Sequence, residues 1–245
     1  MTETAIKFEH VAKAFGAQQV HRDISFTIKK GEVVTLLGPS GTGKTVVLKL
    51  IIRLLTQDSG SITVLGQDVA SADQDQLLQL RRRVGMLFQG AALFDSLSVY
   101  DNIAYPLHET RKYTAAEIEE IVYDKLGIVA LERMVHKYPP ELSGGQKKRI
   151  ALARALASSP EIILFDEPTT GLDPTAIRKI DDAMIRLNRE YEMTTVVVTH
   201  DIESARRVSE RWLLFNAGHV IADGPVQELE QSNKDVQRFI SGQWS

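Results

Sequence analysis

The spacing of hydrophobic and polar positions changes twice along the chain. Up to about residue 65, short β-branched runs (AIKFEHV, ISFTI, EVVTLLG and SITVLG) are broken at Gly16, Gly31 and Gly60, which predicts strands joined by turns. One helical pattern, VVLKLIIRLL, interrupts them directly after GTGKT. From Ser71 to Leu156 the period becomes helical. TAAEIEEIVYDKLGI is the clearest amphipathic segment, opened by a capping box of Thr114 and Glu117. Beyond it strand and helix alternate: EIILFDEP, DPTAIRKIDDAMIRLNREY, TTVVVTH and DIESARRVSE, then the hairpin-like RWLLFNAGHVIADG. Such alternation predicts an α/β fold with a parallel core, and the helical block predicts an inserted subdomain. FQGAALFDSLSV, Phe88 to Val99, fits neither period: it is either a poorly patterned core element or a surface that touches something else.

Composition narrows the function classes. A chain of 245 residues suits one large domain or a domain with a subdomain, and 43% apolar with 25% charged residues is ordinary for a globular protein. A net charge of −3 gives no global reason to expect nucleic-acid binding, and the lack of cysteine excludes disulfides and thiolate metal sites. The apolar runs VVTLL, IILF and VVV fall far short of the roughly 20 residues that span a bilayer, and MTETAIKFEH has no signal-peptide pattern. The expectation is a cytoplasmic chain without direct membrane insertion, acting on a membrane only through a partner.

Three stretches carry chemistry. GPSGTGKT (Gly38, Pro39, Ser40, Gly41, Thr42, Gly43, Lys44, Thr45) lies between an apolar strand and a helix and matches G-x-x-x-x-G-K-[ST]. Its glycines let backbone N–H groups turn toward phosphate oxygens, the helix directs its positive end there, and Lys44 adds a point charge. The Thr45 hydroxyl suits Mg²⁺. In IILFDEP, Asp166 at the end of a buried strand is placed to hold Mg²⁺ through its water shell, and Glu167 to polarise a water for in-line attack on a γ-phosphate. In ELSGGQKKRIALARAL, Ser143, Gly144 and Gly145 open a helix whose bare first turn is either a simple cap or an anion-facing end.

Two phosphate cradles with a single Lys44 and a single Asp166–Glu167 pair pose a stoichiometric problem. A symmetric dimer resolves it, if the loop of one chain faces Ser143–Gly145 of the other and makes two complete sites from two halves.

With these residues in this order, the chain resembles the ATP-binding cassette (ABC) ATPases: GPSGTGKT, the LSGGQ signature at Leu142 to Gln146, IILFDEP, the TTGLDP loop with Asp173, and His200 after TTVVVTH. The resemblance implies ATP and Mg²⁺ as cofactors, and a P-loop NTPase cassette with a parallel core, an N-terminal antiparallel β subdomain and a helical insertion. The core would take residues 1–88 and 158–224, the helical part 89–157, and a C-terminal helix and tail 225–245. It further implies that Phe15 stacks on adenine, that Val46 and Gln146 border the nucleotide, and that Gln89 reaches the Mg²⁺ and attacking water. Asp173 would cross the dimer seam and His200 contact the γ-phosphate. The histidines at 10, 21, 108, 136 and 219 have no such context and are expected at the surface or in ordinary packing.

RRRVGMLFQGAALFDSLSVYDNIAYPL and DVQRFISG are similar to the ATPases of MCE (mammalian cell entry) or Mla-type phospholipid transporters. Gln146 stands where many of that group carry Met, so the signature itself is generic. The group implies a homodimer on integral-membrane permease subunits at the cytoplasmic face of the inner membrane, with MCE-type lipid-binding subunits and accessory proteins. An importer ATPase for a polar solute, a cytosolic assembly ATPase and a nucleotide-gated division-site module are rival expectations. Trp244, near the end, would either anchor on a neighbouring subunit or sit in a frayed terminus.

Overall fold

The computed structural model describes residues 3–244. Strands β1 (Thr4–Phe15) and β2 (Gln18–Lys29) form an antiparallel hairpin around Gly16 and Ala17. Next come β3 (Val33–Leu37), α1 (Lys44–Ile51), β4 (Ser59–Val64), β5 (Gln67–Asp68), α2 (Gln74–Arg83) and β6 (Val84–Leu87). Three helices follow: α3 (Val99–His108), α4 (Ala115–Ile128) and α5 (Gly144–Leu156). The chain then alternates through β7 (Ile162–Asp166), α6 (Pro174–Tyr191), β8 (Thr194–Val198) and α7 (Ile202–Val208). It closes with the hairpin β9 (Arg211–Asn216) and β10 (His219–Pro225), then α8 (Val226–Ser232) and α9 (Lys234–Ile240).

Two sheets result. A four-stranded antiparallel sheet runs β2-β1-β4-β5, and a six-stranded sheet runs β10-β9-β3-β8-β7-β6, parallel except for the antiparallel edge strand β10. The VVTLL, IILFD and TTVVV runs are almost wholly buried, because helices and the second sheet cover both faces of a parallel sheet. The predicted α/β class with its antiparallel N-terminal sheet and intervening helices is the one observed.

One element differs from the sequence pattern: Val84–Leu87, inside the stretch expected to be helical, is strand β6. Four residues between a basic helix end and a turn are too few to show a period. The strand is decided instead by parallel pairing with β7, Val84 against Ile162 and Leu87 against Phe165.

The core has two main parts. Between the sheets and α1 lie Ile6, Phe8, Phe26, Leu48 and Leu213, with the Phe8 and Phe26 rings stacked at 4.6 Å. On the other face, Ile103, Val122 and Leu152 of the helical segment pack with Phe165 and Met184. A smaller cluster of Trp212, Val226, Leu229 and Val236 fixes the C-terminal helices, and Trp244 packs edge-on against Phe239 of its own chain at 5.9 Å.

FQGAALFDSLSV is an ordered loop, divided residue by residue between the two alternatives. Ala91 and Ala92 adopt left-handed φ of 61° and 52°. The Arg154 guanidinium donates to their carbonyls, at 3.1 and 2.8 Å. Buried Asn102 accepts from the Phe94 amide and donates to the carbonyls of Phe94, Leu97 and Ser98. Val99 is fully buried and Leu93 is half-buried against the helical core, so both belong to the core alternative; Phe94 remains 44% exposed.

Candidate nucleotide-binding site

Four adjacent parallel strands, β3, β8, β7 and β6, end on the same side of the sheet, where α/β folds bind ligands. Gly38, His200, Asp166 with Glu167, and Gln89 lie at or just past those ends.

After β3 the chain turns through Gly38–Thr45 into α1. Gly43 caps that helix with φ of 88° and no side-chain bond, so the first amides are not satisfied by a cap. A Cβ at Gly43 would lie 2.4 Å from Val20 and 2.6 Å from the His21 ring, and one at Gly38 only 2.3 Å from the Phe215 carbonyl. Only glycine fits either place. The Lys44 ammonium is buried within the loop, donating to the carbonyls of Gly38 at 2.7 Å and Pro39 at 2.9 Å, with the Thr42 hydroxyl at 3.5 Å. Burial lowers its pKa, while the negative charges of Glu167 and Asp166 oppose that shift. Ser40 and Gly41 are exposed at the rim, and Val46 packs on the core.

The Thr45 hydroxyl donates to Asp166 at 2.7 Å, joining the start of α1 to the end of β7. Burial raises the Asp166 pKa, Thr45 counteracts it, and the neighbouring Glu167 charge raises it further. Glu167 holds a left-handed φ of 50° that turns its carboxylate toward Thr170, whose hydroxyl donates at 3.0 Å, and toward His200 Nδ1 at 2.8 Å. Gln89 is exposed two residues beyond β6. The hydroxyl of Thr45, the carboxylate of Asp166 and the amide of Gln89 are hard oxygen donors, the type Mg²⁺ selects, and a buried carboxylate pair gains from a cation.

The other expected site residues lie apart from this cluster. Ser143 caps α5, accepting from the Gln146 amide at 3.3 Å, while the Gln146 side chain accepts from the Ser143 amide at 2.8 Å. Asp173 caps α6, accepting from the amides of Thr175 and Ala176. Among the described residues, Ser143–Gln146 and Asp173 make no hydrogen bond to the P-loop. Phe15, 44% exposed at the end of β1, faces Lys13 Nζ at 5.4 Å from its ring centroid.

His21, expected at the surface or in ordinary packing, is fully buried beneath the loop. Its Nε2–H donates to the Gly43 carbonyl at 3.1 Å, its Nδ1 has no partner, and burial pushes its pKa down to about 4. The alternation of Ile24, Phe26 and Ile28 places His21 on the polar face of β2; an irregular register between Val11–Ile24 and Lys13–His21 turns it inward.

A glycine-framed loop opening α1, with its lysine and the carboxylates at the end of β7, makes the chain a P-loop nucleoside triphosphatase. Within that class a family model described as ABC transporter matches residues 21–170, and the chain belongs to the ABC transporter family. A second, shorter match, to an AAA domain, covers residues 136–205. The probable ribonucleotide transport ATP-binding protein Mkl of Mycobacterium tuberculosis is 41% identical over 239 residues, covering 97% of this chain and 67% of the relative. Methionine import ATP-binding protein MetN 1 of Bacillus thuringiensis is 37% identical over 241 residues, covering 96% of this chain and 71% of its own. The cassette MJ0796, solved as a dimer in a post-hydrolysis state with ADP and Pi, superposes with a TM-score of 0.83 at 34% identity, over 90% of this chain and 98% of that one. The protein is thus an ATP-hydrolysing cassette, the ATP-binding subunit type of an ABC transporter. No described helix is long and apolar enough to cross a membrane.

Proposed function

We propose that two copies of this chain close around two ATP molecules and drive a membrane permease that moves phospholipid between inner and outer membranes. The observation that supports the sandwich is the division of the site: Lys44, Thr45, Asp166, Glu167 and His200 converge, whereas Ser143–Gln146 stand apart with an exposed helix start. A second copy supplies what one lacks. MJ0796, a bacterial ABC transporter cassette of the same fold, has been solved as a dimer.

In this mechanism the amides of Gly41 to Val46 and the Lys44 ammonium bind the phosphates, and Phe15 stacks on adenine. Thr45, Asp166 and Gln89 would hold Mg²⁺, which would supply positive charge against that of the phosphates. Glu167 takes the proton of the attacking water, with His200 fixing its carboxylate and facing the γ-phosphate. Ser143, Gly144, Gly145 and Gln146 cover the partner's nucleotide, and Asp173 lies at the seam. Loss of the γ-phosphate removes what both halves hold, and the dimer opens. The sequence division, with 89–157 as a helical subdomain on a core of 1–88 and 158–224, belongs to this mechanism as the part that moves.

The permease contact falls on a groove of about 450 Å³ between the helical segment and the core, lined by Leu54, Met86, Phe88, Phe94, Tyr105 and Arg154. Phe94 and Tyr105 pack at 5.0 Å with both rings exposed, an apolar patch suited to a cytoplasmic helix of a membrane protein at the inner face. The lipid cargo and the MCE-type lipid-binding and accessory subunits rest on the similarity of RRRVGMLFQGAALFDSLSVYDNIAYPL and DVQRFISG to that group. Import of a polar solute is the second reading, favoured by the similarity to the ribonucleotide transport and methionine import proteins.

Purification of the tagged chain from membranes, with identification of its companions and bound lipid by mass spectrometry, separates these. A permease with an MCE-type subunit and phospholipid is the expected result. A permease with a solute-binding protein supports import, and the absence of any membrane protein overturns the transporter proposal.

A further inference from the structure

Lys148 occupies the second turn of α5, just past the signature. It falls on the buried stripe of that helix, three and four residues before Ala151 and Leu152, and is only 7% exposed. Its Nζ donates to the carbonyl of Glu167 at 2.9 Å and of Thr170 at 3.1 Å. Burial of this ammonium lowers its pKa, against the pull of the Glu167 and Asp166 charges. A cation kept at that cost between two carbonyls braces the segment running from one to the other. That segment begins at Glu167, the residue with left-handed φ of 50°, a conformation that persists only when its surroundings impose it.

Neighbouring contacts make the brace part of one body. A Cβ on Gly145 would lie 2.9 Å from that of Ala176, and one on Gly144 would lie 3.6 Å from Leu172. The first turn of α5 therefore packs backbone-close against the loop after Glu167 and the first turn of α6. Displacement of the signature turn carries this loop with it, and Lys148 is the polar link that reaches the peptide of Glu167 itself.

We propose that Lys148 is a positioning residue that couples the two nucleotide sites: it transmits the engagement of Ser143–Gln146 with the partner's ATP to the orientation of Glu167 in its own chain's site. This rests on the sandwich dimer proposed above. Each catalytic carboxylate is then set only when the opposite nucleotide is in place, which makes hydrolysis cooperative in ATP.

The test compares wild type, Lys148→Met and Lys148→Arg, each in the complex purified from membranes, by ATPase rate against ATP concentration. Lys148→Met is expected to lower kcat about tenfold or more at unchanged KM and to bring the Hill coefficient toward 1. Lys148→Arg, which keeps charged donors, is expected to recover much of both. A Lys148→Met enzyme with wild-type kcat and Hill coefficient overturns the proposal. So does a variant in which kcat, KM and melting temperature worsen together without recovery in Lys148→Arg, since that is a packing defect. Gel filtration of Glu167→Gln with ATP and Mg²⁺ checks the dimer separately: failure to dimerise removes the sandwich and the coupling together, whereas dimerisation with an unaffected Lys148→Met removes the coupling alone.

Discussion

Two helices in this molecule begin in glycine-rich turns, and they begin in opposite ways. α1 starts at Gly43, left-handed, without a side-chain cap, its lysine folded into the preceding loop. α5 starts at Ser143 with a complete capping box, in which the amides of Ser143 and Gln146 are served by each other's side chains and those of Gly144 and Gly145 are not. An uncapped helix start held open by glycines that cannot be replaced leaves donors for a phosphate to satisfy. In α5 the glycines serve a different end, close approach to Leu172 and Ala176, and the turn stands ready as a finished surface. In the proposed sandwich, one chain thus carries a receptor for phosphate and a lid for its partner's.

The sharpest way to break this contrast is at Gly43. Gly43→Ala puts a methyl into Val20 and His21 at a positive φ, and is expected to cost about 2–5 kcal/mol of stability and to abolish measurable ATP binding by calorimetry. Retention of wild-type stability and affinity would show that the loop can rearrange.

The next effect is a pH dependence from His21. Its folded-state pKa of about 4 lies below the unfolded value near 6.5, so the neutral ring stabilises the fold above pH 6.5. As pH falls from there toward 4 the unfolded state binds the proton first, and stability drops by at most about 3 kcal/mol. Urea unfolding across that range should show the loss in wild type and a flatter profile in His21→Phe; equal slopes would mean that other groups carry it.

Ser143→Ala should be the mildest change. Loss of the cap costs about 1 kcal/mol, with nucleotide affinity of the isolated chain unchanged, because in the proposed sandwich that turn serves the partner's site. A fall in intrinsic affinity comparable with that of Gly43→Ala would erase the distinction between the two helix starts.

Legibility from sequence followed the range of each interaction. GPSGTGKT and IILFDEP were readable because phosphate binding and strand-end carboxylates are local patterns with fixed spacing. β6 was not, since VGML is a strand only by virtue of its neighbour β7. His21 escaped because a register irregularity reverses the alternation of β2. Lys148 left a usable signal: a charged residue on the apolar stripe that continues through Leu152 and Leu156. Within FQGAALFDSLSV, the pairing of Arg154 with the Ala91 and Ala92 carbonyls joins residues 63 and 62 positions apart, beyond the reach of any periodicity. That contact is why an unpatterned stretch is nonetheless ordered.

The central claim is that ATP completes the receptor of one chain with the lid of another. Gel filtration of Glu167→Gln, with and without ATP and Mg²⁺, tests it most directly. The account predicts a dimer only with nucleotide, with two ATP retained and turnover reduced about a thousandfold or more. A chain that stays monomeric with ATP bound, or that hydrolyses it at near the wild-type rate, would contradict it.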